Sequence, residues 1–133
     1  MKKTLILSLL AILIMLPNKL SAQDLATKKS VCGSWLGKLA ADGMDLRVIF
    51  NLKLSEKDSL IVTLDSPDQG AEGIAAGPVI LDNKKIVIQA PGINGEYAGT
   101  IKGDSLIGTW TQNGGSLPLN LKKQSTPTVV QPK

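Results

Sequence analysis

The stretch MDLRVIFNLKL, Met44 to Leu54, constrains the fold more than any other. Met44, Leu46, Val48, Phe50, Leu52 and Leu54 share one parity, while Asp45, Arg47, Asn51 and Lys53 occupy the other, with Ile49 the one exception. Successive side chains of a strand point to opposite faces, so this alternation puts the apolar set on one side of a sheet. A helix would scatter the same residues around its circumference. The reading is a long strand with Met44, Leu46, Val48, Phe50, Leu52 and Leu54 buried and Asp45, Arg47 and Lys53 exposed. A slip of one residue would invert every assignment.

Shorter pieces repeat the pattern. Trp35 and Leu39 flank Gly37, Leu60, Val62 and Leu64 alternate, and so do Ile86, Ile88 and Ala90. Tyr97, Gly99 and Ile101 follow, then Leu106, Gly108 and Trp110, then Leu117, Leu119 and Leu121, with a short strand over residues 79–81. Between them stand Asp42-Gly43, Glu56-Lys57-Asp58, Asp82-Asn83, Lys102-Gly103-Asp104 and Asn113-Gly114. Such residues tolerate positive φ and favour hairpins. The chain therefore reads as all-β: an antiparallel meander of about eight strands closed into a calycin-like barrel, closure being one way to remove open edges. A two-sheet sandwich is the alternative. The opening GSWLGKLAADGMDLRVIFNLK is echoed by GTWTQNGGSLPLNLKK near the end. Closure would pair the first strand with the last, placing Trp35 and Trp110 on neighbouring strands. Leucines and isoleucines dominate the inward positions, which favours a self-filled core over a ligand cavity.

The N-terminus carries a different signal. Lys2 and Lys3 precede an apolar run to Leu16, Pro17 breaks it, and Leu20-Ser21-Ala22 ends in a small residue. This is the layout of a secretory signal peptide, too short to span a bilayer. The expected organisation is a signal peptide over residues 1–22, an irregular leader over 23–32, the barrel over 33–123 and a disordered tail over 124–133. Localisation is then exported, periplasmic or extracellular, with no membrane attachment after cleavage. The formal charge of +4 falls once Lys2, Lys3 and Lys19 are removed, leaving twelve cations against eleven acids. No clustered basic footprint remains for nucleic acid. The single cysteine, Cys32, has no internal partner. Lys29-Ser30-Val31 before it is not a lipobox, so it reads as a free thiol.

Histidine is absent, so neither a Ser-His-Asp nor a Cys-His site can be assembled. The longest irregular segment, DSPDQGAEGIAAGP over residues 65–78, holds Asp65, Asp68 and Glu72. Their spacing is not that of an EF-hand, and no cofactor or metal is expected. Long loops on rigid scaffolds often carry binding. Ser66, Pro67, Asp68, Gln69, Gly70 and Glu72 are thus the candidate interaction loop, with side chains free to hydrogen-bond a partner. Catalytic residues are not assigned.

The strings GSWLGKL, GMDLRVIFNLKL, LIVTLDSPDQGAEGI and YAGTIKGDSLIGTWTQNGGSLPLNLKK resemble a small domain that precedes the catalytic domain in secreted bacterial α/β-hydrolases of the serine-aminopeptidase type. The resemblance spans residues 33–123. It implies a non-catalytic accessory or protein-interaction domain, with an exported hydrolase or peptidase as the possible partner. The family's nucleophile, acid and histidine belong to the following domain, and no Gly-x-Ser-x-Gly elbow occurs in this sequence. No catalytic residue carries over, and a hydrolase label would be inherited from fused relatives. Two further readings come from other classes. One is a small-ligand carrier of lipocalin or streptavidin type, suggested by the Gly-x-Trp opening of the first strand, although the apolar interior argues against a small-molecule ligand. The other is a secreted protease inhibitor using residues 23–31.

Overall fold

The structure is a computed structural model that describes residues 25–125; the expected signal peptide with its expected cleavage point, and most of the expected tail, lie outside them. Nine strands follow one another: β1 (Gly33–Ala41), β2 (Met44–Leu54), β3 (Leu60–Ser66), β4 (Ala71–Ala76), β5 (Val79–Asp82), β6 (Lys85–Ala90), β7 (Gly95–Lys102), β8 (Ser105–Gln112) and β9 (Gly115–Lys123). They form one antiparallel sheet in the order β4-β3-β2-β1-β9-β8-β7-β6-β5. The sheet curls into a half-barrel that is not fully closed.

The meander expectation holds, with two corrections. The ninth strand, β4, lies inside the segment read as a loop. Its sequence AEGIAA has only one large apolar side chain, and Ala, Gly and Glu are depleted in strands. Closure is the second correction. First and last strands do pair, but only through Trp35–Lys123, Leu36–Lys122 and Gly37–Leu121. That contact joins two meanders in mid-sheet and leaves β4 and β5 as edges. The chain passes between them at Gly77-Pro78, tied to β6 by Gly77 N donating to Gln89 O and Gln89 N donating to Pro78 O.

Alternate strand ends define two ends of the half-barrel. The base gathers Gly33, Leu54, Leu60, Lys102 and Ser105; the mouth gathers the Asp42-Gly43 turn, Ser66, Ala90, Gly95 and Gln112. At the base, residues 25–30 are helical, which corrects the irregular leader. Val31 is fully buried, and its carbonyl accepts from Trp35 Nε1 at 3.0 Å. Lys28 Nζ donates to Asp58 O at 3.1 Å, and Lys123 Nζ to Ser30 O at 2.9 Å. This segment stoppers the base. Gln124 N donates to Ser34 O, so the first residue of the expected tail is hydrogen-bonded to β1.

The β2 burial pattern follows the predicted register in its lower half. Val48, Phe50 and Leu52 are buried and Lys53 is exposed. Leu46 and Leu54 are half-buried, and Met44, 61% exposed, lies at the hairpin tip where nothing packs over it. Ile49 is only 3% exposed despite its outward parity, because the turn after β3 lies against β2. Arg47, expected exposed, is half-buried for the same reason.

The core centres on aromatic rings packed against glycines. Phe50 meets Tyr97 edge-on at 5.3 Å and Trp110 at 6.3 Å. A Cβ at Gly99 or Gly108 would stand within 2.7 and 2.8 Å of the Tyr97 hydroxyl, and one at Gly95 within 2.5 Å of the Trp110 ring. Glycine beside each ring, on its own strand (Gly99) or on the neighbouring one (Gly108 and Gly95), is what lets these rings lie across the sheet. The two tryptophans are not neighbours as expected. β9 separates their strands; Trp35 sits opposite Phe50 near the base, and Trp110 opposite Tyr97 toward the mouth.

Candidate functional site

Two short turns frame the mouth, and they share one construction. After β3, Pro67–Gln69 makes a single 3₁₀ turn ended by Gly70 in the left-handed region, whose N–H donates to Pro67 O. After β6, Pro91–Ile93 does the same, ended by Asn94 bonding back to Pro91 O. Proline suits the first position of such a turn because its fixed φ matches and its missing N–H would be unpaired anyway. The shared spacing, Pro followed three residues later by Gly or Asn, is visible in SPDQG and APGIN. Only the first carries the residues put forward from the sequence.

Those residues are positioned by bonds within the chain. The Asp68 carboxylate accepts from the Arg47 backbone N at 2.9 Å, and from its guanidinium Nε and Nη2, the latter at 2.6 Å. That bidentate hydrogen bond raises the Arg47 pKa. Ser66, nearly buried, donates to Gln69 Oε1 at 2.7 Å. Asp65 accepts from Asn51 Nδ2 at 2.9 Å and from Gly73 N at 2.7 Å, and Ser34 Oγ donates to Asn51 Oδ1. A polar ladder thus crosses four strands on the outer face. Pro67 is half-buried; Gln69, Gly70 and Glu72 are exposed. The three acids Asp65, Asp68 and Glu72 do not converge, and among the described residues no group of three His, Cys, Asp or Glu could hold a metal.

Between the two turns lies a recess of about 180 Å³. Its apolar walls are Leu39, Val48, Leu64, Ile74, Ile93 and Trp110, and Ser66, Gln69, Asp65 and Gln112 supply its polar rim. Gln112 orders one side, accepting from Trp110 Nε1 at 3.1 Å and donating to Ile93 O at 3.0 Å. Each end of that amide keeps hydrogen-bonding capacity beyond these two contacts. Sequence reasoning missed this recess. From sequence, Ile74 falls in the irregular segment 65–78, the Pro91 turn has no alternating pattern to mark it, and Trp110 and Leu39 read simply as core. The paired proline turns were the available signal.

Below the recess the Tyr97 ring is fully buried, and its hydroxyl has no hydrogen-bond partner among the described residues. Burial pushes its pKa well above that of a free phenol. At the base, Cys32 is half-buried with Sγ donating to Lys28 O at 3.3 Å, and burial raises its thiol pKa. A thiol held protonated is a poor nucleophile.

No protein-family model matches this sequence, and no curated protein matches it significantly.

Proposed function

We propose that this chain is an exported, non-catalytic β-module that binds a protein partner at the open end of its half-barrel, as an accessory to an exported hydrolase or peptidase. The observation that carries this reading is the contrast inside the molecule. Trp35, Phe50, Tyr97, Leu106, Leu119 and Leu121 fill the interior at 2% exposure or less, whereas the mouth keeps a recess. Sites for small molecules usually measure about 300–1,000 Å³. A recess of about 180 Å³ suits one side chain of a partner better than a whole ligand. The carrier reading stays second, supported by the polar rim beside Trp110. The inhibitor reading has least support, because residues 25–31 are engaged at the base.

The test is affinity capture from the exported fraction with the immobilised mature protein. A hydrolase or peptidase retained stoichiometrically, and released by excess free protein, is the expected result. Native mass spectrometry of the protein from its own cells provides the contrary outcome: a small molecule bound one-to-one, with no protein retained, would move the assignment to a carrier.

A further inference from the structure

The charges of this small domain are sorted by end. Asp42, Asp45, Asp65, Asp68, Glu72 and Glu96 all lie at the mouth, against Lys38 and Arg47, and Arg47 is neutralised by Asp68. The base carries the opposite sign. Lys28, Lys29 and Lys53 lie there with Lys57, and Lys84 and Lys85 mark its β5–β6 turn. Lys102, Lys122 and Lys123 complete it, against Glu56, Asp58, Asp82 and Asp104. The near-zero net charge of the domain conceals this separation.

We infer that the mouth recess is an anchor pocket for one aromatic or large aliphatic side chain of a partner's extended, lysine- or arginine-bearing segment. The inference rests on the proposed partner-binding role and names its chemistry. An apolar cavity of about 150 Å³ admits a benzene ring, so the recess of about 180 Å³ takes one such side chain. No lysine or arginine lines it, and Asp42, Asp45, Glu72 and Glu96 stand around the mouth, so an anionic ligand would meet like charge. The surrounding acids steer a cationic segment toward it. β4, which contributes Ile74, is a sheet edge with one side of its backbone lacking a strand partner among the described residues. An extended segment can pair there while its anchor enters the recess, the usual division between main-chain affinity and pocket specificity.

The probe is an eight-residue peptide with one central phenylalanine and two lysines on each side, titrated against the full exported protein and followed by amide NMR shifts. Binding should perturb Leu39, Ile74, Ile93 and Gln112. Replacing the phenylalanine by alanine should weaken it about thirtyfold, and exchanging lysines for glutamates about tenfold or more at low salt. Glu72 and Glu96 are exposed, so Glu72→Lys with Glu96→Lys should leave the melting temperature unchanged and weaken binding roughly three- to tenfold. Absent binding, equal affinity for the glutamate peptide, or shifts confined to the lysine-rich base would overturn the inference. Repeating the capture with the double variant separates the two claims. A partner retained at wild-type strength overturns the anchor pocket and leaves partner binding standing. Capture of nothing by either protein, with no peptide bound, removes both.

Discussion

The two ends of the half-barrel are made from the same strands and end differently. At the base, the chain supplies its own stopper: residues 25–30 turn once into helix, Val31 is buried, and Trp35 is fastened to it through the indole N–H. At the mouth, no segment returns among the described residues. Two proline turns stand opposite one another across the opening, and Leu39, Val48, Ser66 and Trp110 keep slight exposure. Burial of apolar area is what stabilises such a sheet, at roughly 25 cal/mol per Å². The base is therefore where the chain's own N-terminal segment adds burial, and the mouth is where an apolar recess stays open. Ile61, Ile80 and Ile107 are exposed singly on the outer face elsewhere, so the recess is the concave apolar surface available for recognition.

Removing the anchor of the stopper should have the largest effect. Trp35→Ala empties a fully buried site and leaves the Val31 carbonyl without its donor, so a loss of about 3–5 kcal/mol is expected in urea unfolding. A loss below about 1 kcal/mol would mean that the stopper is ornamental.

Asp68→Ala comes next. It removes the acceptor for the Arg47 backbone and guanidinium, so the melting temperature should fall by about 5–10 °C. This inverts what the sequence alone suggests, where Asp68 is a surface residue free for a partner. An unchanged melting temperature would return Asp68 to that role.

Ile93→Ala at the mouth should cost less than about 1 kcal/mol, because Ile93 is already half-exposed. A cost equal to that of Trp35→Ala would erase the contrast between the ends.

The smallest effect, and of opposite sign, belongs to Tyr97→Phe. The hydroxyl is buried without a partner among the described residues, so its removal should be neutral or stabilise by up to about 1 kcal/mol. The pH dependence has a definite sign. The folded phenol titrates above its unfolded range near pH 10, so the unfolded state loses that proton first. Stability from this group is complete below about pH 10 and declines as pH rises further. The phenylalanine variant should lack that alkaline component in unfolding curves taken from pH 9 to 12.

The sequence was legible where side-chain size alternates strongly. β2 showed its register from Val48 to Lys53, and Asp42-Gly43 and Asn113-Gly114 marked hairpins that the structure contains, both residues of each turn at positive φ. It was illegible where the signal is small or non-local. β4 is written in alanines and glycine, and residues 25–30 are too few to show a helical period. The loss of alternation at Met44 and Ile49 depends on what packs over them, which no local pattern records. For the site, the proline turns were readable but their meeting was not, since residues 66–69 and 93 come together only through the curl of the sheet. The charge separation was likewise hidden in a net balance, because it appears only after strand ends are assigned to mouth or base.

Thiol accessibility tests the contrast most directly. In a Cys32→Ser background, which removes the only native thiol, Ile74→Cys reports on the mouth and Val31→Cys on the base, each reacted with an excess of a thiol-specific reagent under native conditions. The account predicts that the cysteine at position 74 reacts at close to the rate of a free thiol, and that the one at position 31 reacts at least about a hundredfold more slowly, gated by local opening. Comparable rates at the two positions would contradict it, whether because the stopper detaches readily or because the mouth is sealed.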